Sequence, residues 1–66
     1  GPCIEITSEG NPIIRNCKVF NGQSYGIYIW LKGAGTIEDC IIYSNVLKGI
    51  EIGENCHTVV QNCKVT

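Results

Sequence analysis

The feature that most constrains this chain is an apolar pattern that repeats every 23 residues. Cys17, Cys40 and Cys63 follow one another at this step. Four further apolar columns keep the same step: Ile4, Ile27 and Ile50; Ile6, Ile29 and Ile52; Ile14, Ile37 and Val60; Val19, Ile42 and Val65. A fixed period over most of a chain indicates a repeat architecture, in which equivalent units stack and bury one another's apolar edges.

Within each unit, apolar residues alternate with polar ones and form no helical stripe. In Gly26-Ile27-Tyr28-Ile29 the two isoleucines share one face and Tyr28 lies on the other, as in a β-strand. Ile37 and Ile42 mark two further short strands, which glycine and asparagine residues separate. The sequence therefore predicts an all-β fold, a parallel β-solenoid of about three 23-residue coils with three short strands each.

We place the coils at residues 3–25, 26–48 and 49–66 of a single segment that spans residues 1–66. The repeat begins within the first few residues and continues to Thr66, so we recognise no polar cap at either end, although solenoids need such caps. We therefore expect a fragment of a longer solenoid, natural or engineered, or a unit that self-associates through its coil ends or a side face. Gly1-Pro2 has the composition of a scar left by tag cleavage, which favours an expressed fragment.

Composition argues against several classes of partner. The formal net charge of −1 gives no electrostatic reason to expect binding to nucleic acid or to an anionic membrane. We recognise no signal peptide, and no apolar run approaches the length of a membrane span. The five cysteines are odd in number and include no CxxC motif. We expect them to be reduced, with the column of three facing inward, in an intracellular protein of the cytoplasm or nucleus.

Two groups of residues contain metal-ligand types. Cys56, His57 and Cys63 would need a fourth ligand to complete a zinc site, and the column assignment turns Cys63 inward. We expect His57, the only histidine, to be an exposed loop residue.

Asp39 lies in a column with Asn16 and Asn62 and could bind calcium. One carboxylate with two amides is, however, more typical of a column of residues that cap turns. We therefore predict no metal site and no cofactor.

The outward positions of the second coil carry an unusual concentration of large apolar side chains. Tyr28 lies between Glu5 and Glu51 in its column, and the only tryptophan, Trp30, follows two residues later. Exposed aromatic residues that cluster in one place mark contact surfaces. We predict that this cluster binds a protein partner or a second copy of the chain. We name it the aromatic patch, and it consists of Tyr25, Tyr28, Trp30 and Leu31.

A carbohydrate site is the alternative for the same face. Glu5 and Glu51 are two coils apart, or roughly 9.6 Å, which is close to the separation of the two carboxylates in inverting glycosidases. A sugar could then stack over Tyr28 and Trp30. The competing interpretation is a solvated strand face, because neither carboxylate has the environment that a general acid requires and no basic residue in the matching positions could bind a uronate. We therefore predict that the chain is not an enzyme.

The segment GIYIWLKGAGTIEDCIIY has the pattern G-I-x-I, a short loop and I-x-[DN]-C-x-[IV]-[FY]. GIEIGENCHTVVQNCKV follows the same pattern with Val60 at the isoleucine position and with Thr66 after it at the aromatic position. This unit resembles the right-handed parallel β-helix repeat and is similar to the pectate-lyase-like superfamily. In period and corner it looks most like the 23-residue repeats of F-box-only proteins and of carbohydrate-binding and sugar-hydrolase-type proteins. It departs from them at Cys17, Cys40 and Cys63, where those repeats often have an inward asparagine, so a thiol column replaces a ladder of amides.

The resemblance implies the fold more strongly than the function. Relatives that cleave polysaccharides use clusters of Asp, Arg and Lys on a strand face of a much longer helix, and no such cluster maps onto this chain. F-box relatives hold protein substrates for ubiquitin transfer, and no F-box sequence is present. We expect a non-catalytic scaffold or protein-interaction segment, with a fragment of a carbohydrate-binding or polysaccharide-processing β-helix as the alternative.

Overall fold

Three parallel β-sheets form the sides of the molecule, and the chain passes once through each sheet in every coil. The computed structural model describes residues 1–66. The strands are β1 (Ile4–Ile6), β2 (Ile13–Arg15), β3 (Lys18–Phe20), β4 (Ile27–Ile29), β5 (Ala34–Glu38), β6 (Ile41–Tyr43), β7 (Ile50–Ile52), β8 (His57–Gln61) and β9 (Lys64–Val65). The first sheet has the order β1-β4-β7, the second β2-β5-β8 and the third β3-β6-β9. The predicted all-β parallel solenoid of about three coils is confirmed.

Every strand pairs with the strand one coil away, at an offset of 23 residues. Ile4 pairs with Ile27, which in turn pairs with Ile50. The second and third sheets keep the same offset. Because side chains alternate between the two faces of a strand, a constant offset places the same column of residues inside in each coil. The apolar columns of the sequence are therefore stacks of inward side chains.

The middle coil is the best-enclosed part of the core. Its inward side chains are at most 1% exposed: Ile27, Ile29, Ile37, Cys40 and Ile42. In the first coil Ile6 and Val19 are also buried. In the third coil the equivalent columns are open, and Ile52, Val60 and Val65 are 42%, 39% and 45% exposed. All five inward columns are therefore closed only in the coil that has a neighbour on both sides.

The cysteine column shows the same dependence on position in the stack. Cys40 is buried and Cys63 is half-buried against the core, but Cys17 is exposed, so the prediction that all three face a closed interior is wrong for Cys17. The thiols of Cys40 and Cys63 lie 3.6 and 3.5 Å from the carbonyl oxygens of Ile14 and Ile37, one coil earlier. Cys17 lies in the first coil, where no earlier coil covers it. All five cysteines are unbridged.

A polar column turns the chain between the second and third sheets. Asn16, Asp39 and Asn62 have φ values of 55°, 55° and 54°, in the left-handed region that asparagine and aspartate tolerate better than most residues. This conformation ends β2 at Arg15. The side-chain amide of Asn62 also donates a hydrogen bond to the carboxylate of Asp39. The column therefore forms the corners of the coils.

An exposed column of polar side chains links the three coils on the outer face of the second sheet. Arg15 Nε donates to Glu38 Oε1 at 2.7 Å, and Gln61 Nε2 donates to Glu38 Oε2 at 3.0 Å. Arg15 and Glu38, which are partners in the register of β2 and β5, therefore form an ion pair. The hydrogen bond from Arg15, followed by the one from Gln61, holds the pKa of the Glu38 carboxyl below its ordinary value.

We expect this column to make the stability of the fold depend on pH in the acid range. The pKa of Glu38 is lower in the folded chain than in the unfolded chain. The hydrogen bonds of its carboxylate therefore stabilise the fold fully at pH values above the unfolded pKa. This stabilisation is lost as the pH falls through the folded pKa. Glu38→Gln should therefore flatten the acid limb of the free energy of unfolding, measured by urea denaturation at a series of pH values. The effect should be small because the pair is exposed to solvent. Identical acid limbs in the two proteins would contradict the linkage.

Candidate functional site

The aromatic patch lies on the outer surface of the first sheet and in the corners next to it. Strand β4 lies between β1 and β7, which places Tyr28 between Glu5 and Glu51. Ile27 and Ile29 are fully buried on the inner side of the same strand. Because neighbouring residues on a strand point to opposite faces, burial of the two isoleucines turns Tyr28 outward.

The aromatic rings of the patch form a row along the strand. The ring centroids of Tyr25 and Tyr28 are 5.1 Å apart at an interplanar angle of 33°. Those of Tyr28 and Trp30 are 6.1 Å apart at 14°, so these two rings are stacked. Both separations are within the range of favourable aromatic pairs.

Trp30 is held in this row by a hydrogen bond that crosses to the preceding coil. Its indole Nε1 donates to Glu5 Oε2 at 2.6 Å, although 37% of the residue remains exposed. Leu31 follows in a turn with φ at 51°, an uncommon conformation for leucine, and is 58% exposed. The patch thus combines a fixed aromatic row with an apolar side chain that projects into solvent.

The two carboxylates of the alternative sugar site flank the row, but each has a partner within the chain. Glu5 accepts the hydrogen bond from Trp30, and Glu51 Oε1 lies 3.5 Å from Lys48 Nζ. Lys48 lies three residues before Glu51, in a corner outside the strand columns, so the column pattern of the sequence does not predict its contact with Glu51. No cavity or cleft is found over this surface.

The residues considered for zinc do not assemble into a site. Cys56 and Cys63 pack against the core, and the thiol of Cys63 lies near backbone carbonyl oxygens. His57 is exposed as predicted, but it is the first residue of β8 and not a loop residue, because it pairs with Ala34 of β5. No group of three or more metal-ligand side chains is present, and the Asp39 carboxylate is bound by Asn62.

A second apolar surface, on the outer face of the third sheet, was not recognised as a site from the sequence. Ile41 is 42% exposed between Lys18 and Lys64 in the register of the sheet. Beside it, the rings of Phe20 and Tyr43 stack at 5.1 Å and 13°. The column formed by residues 18, 41 and 64 is visible in the sequence. Because it is charged in two of its three copies, it does not stand out as an apolar column.

The repeat, the parallel register and the three-sided core together define the architecture of the molecule. A family model described as a right handed beta helix region matches residues 1–66. The chain belongs to this β-helix family. No curated protein and no solved structure matches the chain significantly. The structure has no α-helix that is long and apolar enough to cross a membrane.

Proposed function

We propose that this β-helix is a non-catalytic scaffold or protein-interaction segment whose contact surface is the aromatic patch. The observation that carries the proposal is the row formed by Tyr25, Tyr28 and Trp30, which the inward register of β4 does not require and which Glu5 fixes in place. Rigid, partly exposed aromatic side chains are the commonest energetic centres of protein interfaces. The five unbridged cysteines support an intracellular location as part of this proposal.

Two features of the geometry favour a protein partner over a sugar. Glu5 and Glu51 are engaged by Trp30 and Lys48. No cleft encloses a small ligand, whereas protein interfaces are often flat, with an apolar centre and a polar rim. A carbohydrate-binding or polysaccharide-processing fragment remains the second candidate, because the column of Glu5, Tyr28 and Glu51 does form.

We expect Trp30→Ala to weaken protein binding by at least about tenfold, because truncation of a central aromatic anchor costs more than about 1.4 kcal/mol. Peptides selected from a displayed random library on the immobilised chain provide the probe, and their affinities for wild type and variants are measured by interferometry. Val59→Ala is a matched control, because Val59 is an apolar side chain that is 52% exposed on the second sheet. Equal affinities for wild type and Trp30→Ala would contradict the proposal.

Titration with oligosaccharides, including uronates in the presence of calcium, tests the second candidate. The fluorescence of Trp30, the only tryptophan, reports directly on this surface. We expect no saturable change in emission. Saturable quenching of the Trp30 emission would instead assign the surface to a carbohydrate ligand.

A further inference from the structure

We propose that the aromatic patch docks against the third sheet of a second copy of the same chain. This inference rests on the proposed function and names its partner. On the first sheet, the central column is aromatic in the middle and acidic on both sides, in the order Glu5, Tyr28, Glu51. On the third sheet, the central column is aliphatic in the middle and basic on both sides, in the order Lys18, Ile41, Lys64.

The two columns match in spacing as well as in charge. Each has its outer members two coils apart, which is roughly 9.6 Å in both sheets because coils stack at about 4.8 Å. When the middle residues Tyr28 and Ile41 face each other across the two sheets, both acidic residues of one copy lie opposite both basic residues of the other. The pairing holds in either direction along the coil axis, since each column carries the same charge at both ends.

The neighbouring column extends this match. Trp30 follows Tyr28 by two residues, directly after the end of β4 at Ile29, and Tyr43 follows Ile41 by two residues on β6. Residues two apart on a strand are about 6.8 Å apart on one face, so Trp30 reaches the stacked rings of Phe20 and Tyr43 when the first columns are aligned and the strands run in the same direction. The contact would thus have an aromatic and aliphatic centre with charged residues at its rim, as protein interfaces do.

The charges of the third sheet are available for such a contact. Neither Lys18 nor Lys64 forms an ion pair within the chain. Glu5 and Glu51 each use one carboxylate oxygen within the chain, Oε2 for Trp30 and Oε1 for Lys48, so the lysines of a second copy would meet Glu5 Oε1 and Glu51 Oε2. The charge is also unevenly distributed. The strands of the first sheet contain two glutamates and no basic residue, whereas the strands of the third sheet contain two lysines and no acidic residue. The two surfaces of different copies therefore attract each other.

End-to-end stacking of copies is less favourable than this side contact. If a second copy continued the coils in register, Glu51 would lie beside Glu5 of that copy, and Lys64 would lie beside its Lys18. Like charges at the spacing of adjacent strands repel each other. The open apolar columns of the third coil favour stacking, but the outward charges oppose it on two of the three sheets.

The proposed contact joins two different surfaces, so in a pair one copy keeps a free third sheet and the other keeps a free aromatic patch, and association can continue into rings or open chains. The individual contact is small, since the shortest dimension of the molecule is 14 Å, and specific stable interfaces bury about 800 Å² on each partner. We therefore expect a weak contact with a Kd on the order of 0.1 mM.

Sedimentation at increasing chain concentration tests the inference. The apparent mass of the wild-type chain should rise above the monomer mass of 7.2 kDa as the concentration approaches 1 mM, roughly tenfold above the expected Kd. Added salt should weaken this association. Lys18→Glu with Lys64→Glu should weaken association at least tenfold without loss of an intramolecular ion pair, and circular dichroism verifies that the variant is folded. A wild-type chain that stays at the monomer mass throughout would overturn the inference.

A charge exchange that spares Glu5 provides the control for net charge. Glu51→Lys alone should weaken association. A chain that combines it with Lys18→Glu has the wild-type net charge and should regain association, because two solenoids of the same hand that face each other with parallel strands place position 51 opposite position 18, and Glu5 keeps its bond to Trp30. Failure of the combined variant to associate while it remains folded would overturn the inference, because complementary columns are then insufficient.

The results also separate this inference from the proposed function. The variant with Lys18→Glu and Lys64→Glu could associate like wild type while Trp30→Ala loses self-association. In that case the aromatic patch contacts a surface other than the third sheet, and only the inference fails. If Trp30→Ala retains both self-association and peptide binding, the proposed function fails as well.

Discussion

Ile37→Ala should leave the chain largely unfolded at room temperature. Ile37 is fully buried in the middle coil, and truncation of such a side chain to alanine costs about 2–5 kcal/mol. A domain of 66 residues has a total stability of about 3–10 kcal/mol, so the loss is comparable with the whole. Urea denaturation followed by circular dichroism measures the change in the free energy of unfolding.

The equivalent position in the third coil provides a matched control. Val60 occupies the same inward column as Ile37, but 39% of it is exposed because no coil covers it. Val60→Ala should therefore cost about 1 kcal/mol or less. Equal losses at Ile37 and Val60 would show that the third coil is covered in solution, by another copy or by further chain, and would contradict the description of an open end.

Gly26→Ala should also disrupt the fold, although it adds only one methyl group. A Cβ at this position would lie 2.6 Å from the carbonyl oxygen of Gly49 and 2.9 Å from Ile42 Cγ2. The first of these atoms belongs to the backbone of the next coil, so the clash can be relieved only if the two coils separate or slide. We expect a destabilisation of about 2–3 kcal/mol, measured by urea denaturation.

Gly53→Ala is the control for this substitution. Gly53 also lies in the first sheet region, but the nearest atom to a Cβ there is the Ile29 carbonyl oxygen at 3.3 Å, a tight contact that a small shift can relieve. We expect Gly53→Ala to cost less than half as much as Gly26→Ala. A milder effect at Gly26 than at Gly53 would mean that the coils are not as closely stacked at this corner as the structure shows.

The sequence alone was sufficient to predict the coils, because burial in a parallel stack repeats the same residue type at the same register. Ile27, Ile37 and Ile42 could be assigned to the core from their columns. The exposure of Cys17 and Val65 could not, because a periodic pattern states which way a side chain points and not whether another coil lies beyond it.

The composition of the aromatic patch was also visible in the sequence, but its geometry was not. The register places Tyr28 between two glutamates, yet the bond from Trp30 to Glu5 depends on side-chain conformations across two coils. The contact between Lys48 and Glu51 depends on the path of a corner. Ile41 was passed over because its column is charged in the other two coils, although that contrast is what makes the third sheet complementary to the first.

The most direct test of the central claim, that the aromatic patch is the contact surface, is a ¹H–¹⁵N correlation spectrum of the labelled chain with increasing amounts of a selected peptide or of unlabelled chain. We predict shift changes at the indole N–H of Trp30 and at the backbone amides of Tyr28 and Leu31, with little change at Val59 on the second sheet. Changes confined to the open end, at Ile52 and Val65, with an unperturbed Trp30 indole, would contradict the claim.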